Sequence, residues 1–197
     1  DGAFSLKLYD NSFISTCRSL KLVDIIDLEE QIIDKKIAIG NDIRGHRYLE
    51  EGKIKLKLVN KYTNALVDIV TTVNPNEEIV AFDIRDTDDS ILIITKSSDL
   101  ECGIYDAQIQ AIEQTEEIPT PGEIYYLYHL DVDNLTNLSC SLNPKVVRRE
   151  YFDDADEIGE PTELVEIHFS PNDSNMFTLI DHGFVTSRFI SNPEMVA

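Results

Sequence analysis

From Gly52 onward the chain alternates between apolar and polar positions. Ile54, Leu56 and Leu58 fall on one face of an extended segment and Lys53, Lys55 and Lys57 on the other, which is the period-two pattern of a half-buried β-strand. Further strands are predicted over 66–72, 78–84, 90–95, 123–132, 145–152 and 163–169, with Asn74-Pro75-Asn76, Asp86-Thr87-Asp88-Asp89 and Pro119/Pro121-Gly122 as the breaks between several of them. Ile91-Leu92-Ile93-Ile94 is an uninterrupted apolar run, as expected of a strand covered on both faces. The strongest hairpin signal joins 176–180 to 184–190 through Asp181-His182-Gly183.

Upstream, Phe4, Leu6 and Leu8 alternate with Ser5, Lys7 and Tyr9, predicting a strand over 4–9 that can continue through 12–23. Ile25, Leu28, Ile32 and Ile33 form a helical stripe with acids between them, predicting a short amphipathic helix over 24–35. Asn41, Gly45 and Gly52 punctuate a loop-like region ahead of the clear alternation. Strands recur every 8–15 residues or so without intervening helices, the spacing of a sandwich or barrel rather than of βαβ units. We therefore expect an all-β fold with a sandwich domain over 1–137. A C-terminal β extension over 138–197 would pack on that domain or reach toward a neighbour.

Composition supports this class. The 197 residues include 24 isoleucines, 8 alanines and no tryptophan; β-branched isoleucine suits pleated sheets, whereas a helical bundle uses more alanine and leucine. Charge narrows the partners. Against 17 basic side chains stand 37 acidic ones, a net charge of −20 that repels nucleic-acid phosphates and anionic lipid. No apolar run reaches the roughly 20 residues of a membrane-spanning helix. Direct nucleic-acid or membrane binding is not expected; a basic protein partner, divalent cations or mimicry of DNA charge stay open, beside simple solubility. Cys17, Cys102 and Cys140 show no paired or metal-binding spacing and read as reduced, mostly buried thiols from cytoplasmic synthesis, with one bridge plus a free thiol as the alternative. The start at Asp1 rather than Met reads as processing, trimming or a fragment.

One further strand is predicted over 103–112, and it carries a resemblance. Glu101, Gly103, Tyr105 and Ala107, with Asp106, Gln108 and Gln110 on the opposite face, resemble the tyrosine corner of immunoglobulin-like antiparallel sandwiches. Ala107 stands where antibody domains place their second disulfide cysteine, and their partner cysteine and buried tryptophan are absent, so the resemblance implies a disulfide-free sandwich. The Gly-x-Tyr-x-Ala spacing is similar to that of immunoglobulin-like modules in bacteriophage tail, baseplate and capsid-decorating proteins. The resemblance implies assembly or attachment rather than catalysis.

Candidate chemistry is sparse. Asp131, Asp133 and Asn134, with Asn137 nearby, offer hard oxygen ligands that suit calcium; an Asx-rich turn explains the same residues. Asp83, Asp86, Asp88 and Asp89 read as a solvated turn, and Asp153–Glu157 as a flexible loop or a docking surface for a basic partner. His46, His129, His168 and His182 have no metal-ligand spacing, and neither nucleophile motifs nor glycine-rich phosphate loops occur. Catalysis is not expected. Tyr125 and Tyr128, and Phe177, Phe184 and Phe189 of the hairpin, are candidate interface residues, with core packing the alternative for the tyrosines. The lysine row reads as edge protection, or else as a salt-bridging surface.

The expectation is a non-enzymatic structural subunit of a homo- or hetero-oligomeric assembly, such as a phage or viral capsid, decoration, connector or tail protein made in the host cytoplasm. A calcium-dependent adhesion or receptor-binding module, outside the cell or at its surface, is the alternative. A third reading is an acidic DNA-mimic inhibitor.

Overall fold

A computed structural model describes residues 31–33, 37–98, 102, 120–152, 164–181 and 184–193. Within them the chain is all-β. The strands are β1 (Gln31–Ile32), β2 (Ala38–Ile39), β3 (Ile43–Glu50), β4 (Lys53–Asn60), β5 (Leu66–Val70), β6 (Glu77–Ile84), β7 (Ile91–Ser97), β8 (Thr120–Leu130), β9 (Lys145–Phe152), β10 (Leu164–Phe169), β11 (Met176–Asp181) and β12 (Phe184–Phe189). They form three sheets: β1-β3-β4-β5 with β2 also on β3, then β6-β7-β8-β9, then β10-β11-β12. Every strand pairing is antiparallel.

The sheets stack in three layers with β6–β9 in the middle, and strand alternation explains why. Ile91 and Ile93 of β7, with Ile124, Tyr126 and Tyr128 of β8, turn to one side and pack with Ile43, Leu56, Leu58 and Val70 of the first sheet. The alternate residues Leu92, Ile94, Tyr125 and Leu127 turn the other way and pack with Ile167, Phe177 and Leu179 of the third sheet. Adjacent Val146 and Val147 of β9 divide between the two cores in the same manner. Ile91 through Ile94 are wholly buried, as their unbroken apolar run predicts.

Several expectations change. Strand β3 occupies the region read as loop. Ile43, Gly45 and Arg47 share one face, with Arg47 only half-buried, while wholly buried Tyr48 lies on the other, so no apolar alternation shows. Gly45 is there because a Cβ would lie 2.9 Å from Leu58 Cδ2, and the Arg47 guanidinium donates to the carbonyls of Ile79 and Val80 on β6. Turn residues Glu51 and Gly52 both have positive φ, the backbone of a tight two-residue hairpin turn. Of the helix expected over 24–35, the end that is described, Gln31–Ile32, is strand paired with Leu49 and Tyr48; the remainder, like the strands at 4–9, 12–23 and 103–112, lies outside the described residues.

The boundary expected after residue 137 falls inside shared structure. Leu138 is wholly buried in the first core and exchanges backbone hydrogen bonds with Thr71 and Val73 at 2.8 and 2.9 Å. Strand β9 completes the middle sheet beside β8, and β10–β12 cover its outer face. The C-terminal segment is a layer of the body.

The cysteines also depart from expectation: Cys102 and Cys140 form a disulfide with Cα atoms 4.7 Å apart across 38 residues of sequence. The fold brings the chain beyond β7 against a 3-10 turn at Cys140–Leu142 that follows β8, a proximity that spacing along the chain cannot show. Cys17 lies outside the described residues.

Candidate interaction surface

The six residues of β12, Phe184-Val185-Thr186-Ser187-Arg188-Phe189, form the open edge of the third sheet. The register sets Phe177 opposite Arg188 and Leu179 opposite Thr186. Since Phe177 and Leu179 are wholly buried against the middle sheet, Phe184, Thr186 and Arg188 take the inner side and Val185, Ser187 and Phe189 the outer. Arg188 is held in place by donating from Nη1 to the carbonyls of Val147 (2.9 Å) and Pro193 (3.0 Å). Beside it, Arg148 pairs with Asp181 and its guanidinium lies 4.3 Å from the Tyr125 ring centroid.

Main-chain direction follows from one bond. Ile190 N–H donates to Asn175 C=O at 2.8 Å, so by antiparallel alternation Arg188, Thr186 and Phe184 aim their backbone groups at β11. Those of Val185, Ser187 and Phe189 point away; Phe189 forms an isolated antiparallel bridge with Asn192, and among the described residues no strand meets Val185 or Ser187. Phe189 C=O accepts the Asn192 N–H at 3.2 Å where the chain turns off the edge.

Large apolar side chains stand on this edge in water: Phe184 is 76% exposed, Val185 67% and Phe189 54%. Edges of this kind are normally blunted by charges, proline or a bulge. The β11–β12 register runs without a shift, β12 contains no proline, and its one ion, Arg188, is tied inward. The opposite edges differ. Strand β5 exposes Leu66 and Val67 but carries Asp68 and pairs with β4 through a register shift; β10 has a shift between Leu164 and Glu166 and carries Glu166 and His168.

The other candidate residues resolve differently. Phe184 and Phe189 are at the surface, whereas Tyr125 (2% exposed), Tyr128 and Phe177 are core residues, so an interface role for those three is corrected. Tyr128 OH donates to Glu77 Oε1 at 2.8 Å, and Thr95 donates to the same buried carboxylate oxygen. Burial, and then the Glu77 charge, push the Tyr128 phenol far above its ordinary pKa.

Asp131 stands just before a 3-10 turn formed by Val132–Asn134, without a side-chain hydrogen bond to it, and Asp131, Asp133 and Asn134 are all exposed. Among the described residues no group of three or more His, Cys, Asp or Glu side chains is placed to hold a metal.

The Asp83–Asp89 segment is only partly a solvated turn. Asp86 and Asp88 are exposed, but Asp89 is buried and its carboxylate accepts the Asp42 N–H at 3.1 and 3.0 Å and the Ile43 N–H at 3.4 Å. Asp83 accepts the Phe169 N–H at 2.8 Å, joining β6 to β10. Burial holds its carboxyl above the ordinary range, against that hydrogen bond and the nearby His168. His168 Nε2 lies 2.8 Å from Glu166 Oε2 and Nδ1 3.9 Å from Asp83 Oδ2. The imidazole is thus flanked by two carboxylates, of which Asp83 belongs to the middle sheet and Glu166 to its own strand.

A groove of about 260 Å³ runs beside β8 and β9, with His129, Asn143, Lys145 and Ser191 as its polar lining. Partial burial of the ring, and then the Arg85 cation, hold His129 below the usual imidazole range, although much of the residue stays exposed.

The lysine row sits on β4, which is flanked by β3 and β5, so edge protection is not its role. Lys55 pairs with Glu50, and Lys57 Nζ lies 5.7 Å from the Tyr48 ring centroid. Glu101, Gly103, Tyr105 and Ala107, the Asp153–Glu157 run and His182 lie outside the described residues. Sequence reasoning missed Val185 and Ser187. The available signal was a strand pattern ending in a stretch, 182–193, that holds no acid in a chain of 37.

Among the described residues no helix is long and apolar enough to cross a membrane. Compared with known proteins, the chain matches no family model, no curated protein and no solved structure.

Proposed function

We propose that this chain is a non-enzymatic assembly subunit that binds protein by adding a strand to the free edge of its third sheet. The observation that carries the reading is β12: a regular edge strand exposing Phe184, Val185 and Phe189, beside which no further strand lies among the described residues. Strand addition draws affinity from main-chain hydrogen bonds and specificity from alternate side chains, and this edge offers both. A virion component is one assembly of this kind. The Cys102–Cys140 disulfide favours an oxidising setting, because such bonds seldom persist in a reducing cytosol; it thereby favours the alternative of an extracellular or cell-surface assembly.

The test compares the full chain with a Phe184→Ser/Phe189→Ser variant. Both side chains are exposed, so the far-ultraviolet circular dichroism and thermal midpoint should be unchanged, while association with the native partner falls at least about tenfold. Unaltered association with an intact fold would reject the edge as the contact surface.

A further inference from the structure

We infer that two exposed loops of this chain are attachment sites for N-linked glycans: Asn134 or Asn137 after β8, and Asn172 between β10 and β11. This rests on the oxidising setting that the Cys102–Cys140 disulfide favours and is independent of the β12 edge.

Three of the chain's 12 asparagines begin an Asn-x-Ser/Thr tripeptide with no proline in the middle: Asn134-Leu135-Thr136, Asn137-Leu138-Ser139 and Asn172-Asp173-Ser174. That tripeptide is the acceptor for N-glycosylation in secreted proteins, where it must lie on a surface loop. The fold meets the requirement each time: Asn134, Asn137 and Asn172 are all exposed and all outside the strands. Asparagines that hold turns together are different residues. Asn60 accepts the N–H groups of Tyr62 and Thr63 at 3.1 and 2.9 Å. Asn64 accepts from Arg44 at 2.6 Å and Asn74 from the Asn76 N–H at 2.9 Å. None of these three begins the tripeptide. Among the described residues the amides of Asn134, Asn137 and Asn172 take no such structural part.

Both loops leave strand ends that lie together. His129, next to last in β8, and Phe169, last in β10, have ring centroids 6.2 Å apart, and Arg85 beyond β6 donates to the Ser174 carbonyl at 2.7 Å. Leu135 and Leu138 pack on the first core, so the loop after β8 is held down between its acceptors while Asn134 and Asn137 stay in water. Those two are three residues apart and count as one attachment region. The co-reactant is a lipid-pyrophosphate-linked oligosaccharide. The Asn amide nitrogen bonds to its anomeric carbon, the bond from that carbon to the pyrophosphate oxygen breaks, the lipid pyrophosphate leaves, and the amide gives up one proton. Glycans on both loops would keep this end of the layers in solvent.

Peptide mapping of the protein from its native source is the test, with N-glycans released enzymatically in heavy-oxygen water so that each formerly glycosylated Asn is recovered as labelled Asp. We expect label at Asn172 and at Asn134 or Asn137, with residues 102 and 140 linked. In the full chain secreted from eukaryotic cells, Ser174→Ala should remove the mass of one glycan and Thr136→Ala/Ser139→Ala that of another, although every acceptor Asn is still present. A glycan that persists on a loop after its hydroxyls are removed would reject the tripeptide as the determinant there. Unlabelled Asn at all three positions, with the cysteines linked, overturns the glycan sites and leaves the oxidising setting standing. Unlabelled Asn at all three together with free thiols at 102 and 140 overturns both. Label confined to one loop rejects the other loop as a site.

Discussion

Gly40 has no room for a side chain: a Cβ there would lie 2.1 Å from Asp89 Oδ1 and 2.6 Å from Ile84 Cγ2. What occupies the space is the Asp89 carboxylate that satisfies the N–H groups of Asp42 and Ile43, with Asp89 itself at φ 60°. Asp89→Ala removes the acceptor and places alanine in the left-handed region, and should cost about 2–3 kcal/mol in urea melts. Asp89→Asn keeps an oxygen and tolerates that backbone, and should cost about 1 kcal/mol or less. Equal losses would show that the carboxylate's hydrogen bonds are unimportant. Asp83 yields a pH prediction. Burial raises its folded pKa, so the folded state takes up the proton at a higher pH than the unfolded chain. Its charged form therefore burdens the fold at neutral pH, and that burden lifts as pH falls through the folded pKa. Relative to Asp83→Asn, which retains an acceptor for the Phe169 N–H, the parent should gain stability between pH 7 and about 4; a relative loss over that range would contradict the burial argument.

At the scale of the element, β7 and β5 are the informative contrast. Ile93 is wholly buried in the first core, while Val67 is 41% exposed on an edge strand. Ile93→Ala should cost about 3–4 kcal/mol, because a cavity would open in a strand covered by sheets on both faces. Val67→Ala should stay within about 0.5 kcal/mol. Chemical denaturation of the two variants checks this, and similar losses would argue against a middle position for β7. The alternation that defines β4, β6, β8, β11 and β12 is legible along the chain, as is the doubly covered character of β7. Strand β3 is not, because Gly45 and Arg47 answer to partners on β4 and β6 rather than to their own neighbours in sequence. The short β1 is hidden for a related reason: Ile32 and Ile33 fit a helical stripe as well as a strand, and pairing with Tyr48 and Leu49 decides for the strand.

For the molecule as a whole, the Cys102–Cys140 disulfide fastens the chain beyond β7 to the turn after β8. Closing a loop of that length restricts the unfolded chain, and reduction should lower stability by about 2–4 kcal/mol. Peptide mapping without reductant should recover residues 102 and 140 linked, leaving Cys17 as the thiol that reacts once the chain is unfolded. Three reactive thiols would mean the bridge is absent from the native protein. The candidate edge also belongs to this scale. Phe184 and Phe189 can be singled out from composition and the hairpin signal, but their exposure, and the burial of Tyr125, Tyr128 and Phe177, follow from which sheet face each strand presents.

By itself the sequence determined the strand class and most strand positions, because side-chain alternation is a local property with a period of two. It also determined the acidic character and the absence of acid from 182–193. Tertiary structure alone decided the three-layer order, the pairing of two distant cysteines, the burial of Asp89 and the open edge of β12. Each of these depends on which distant segments come into contact, and a linear pattern records which residues prefer burial without recording what buries them.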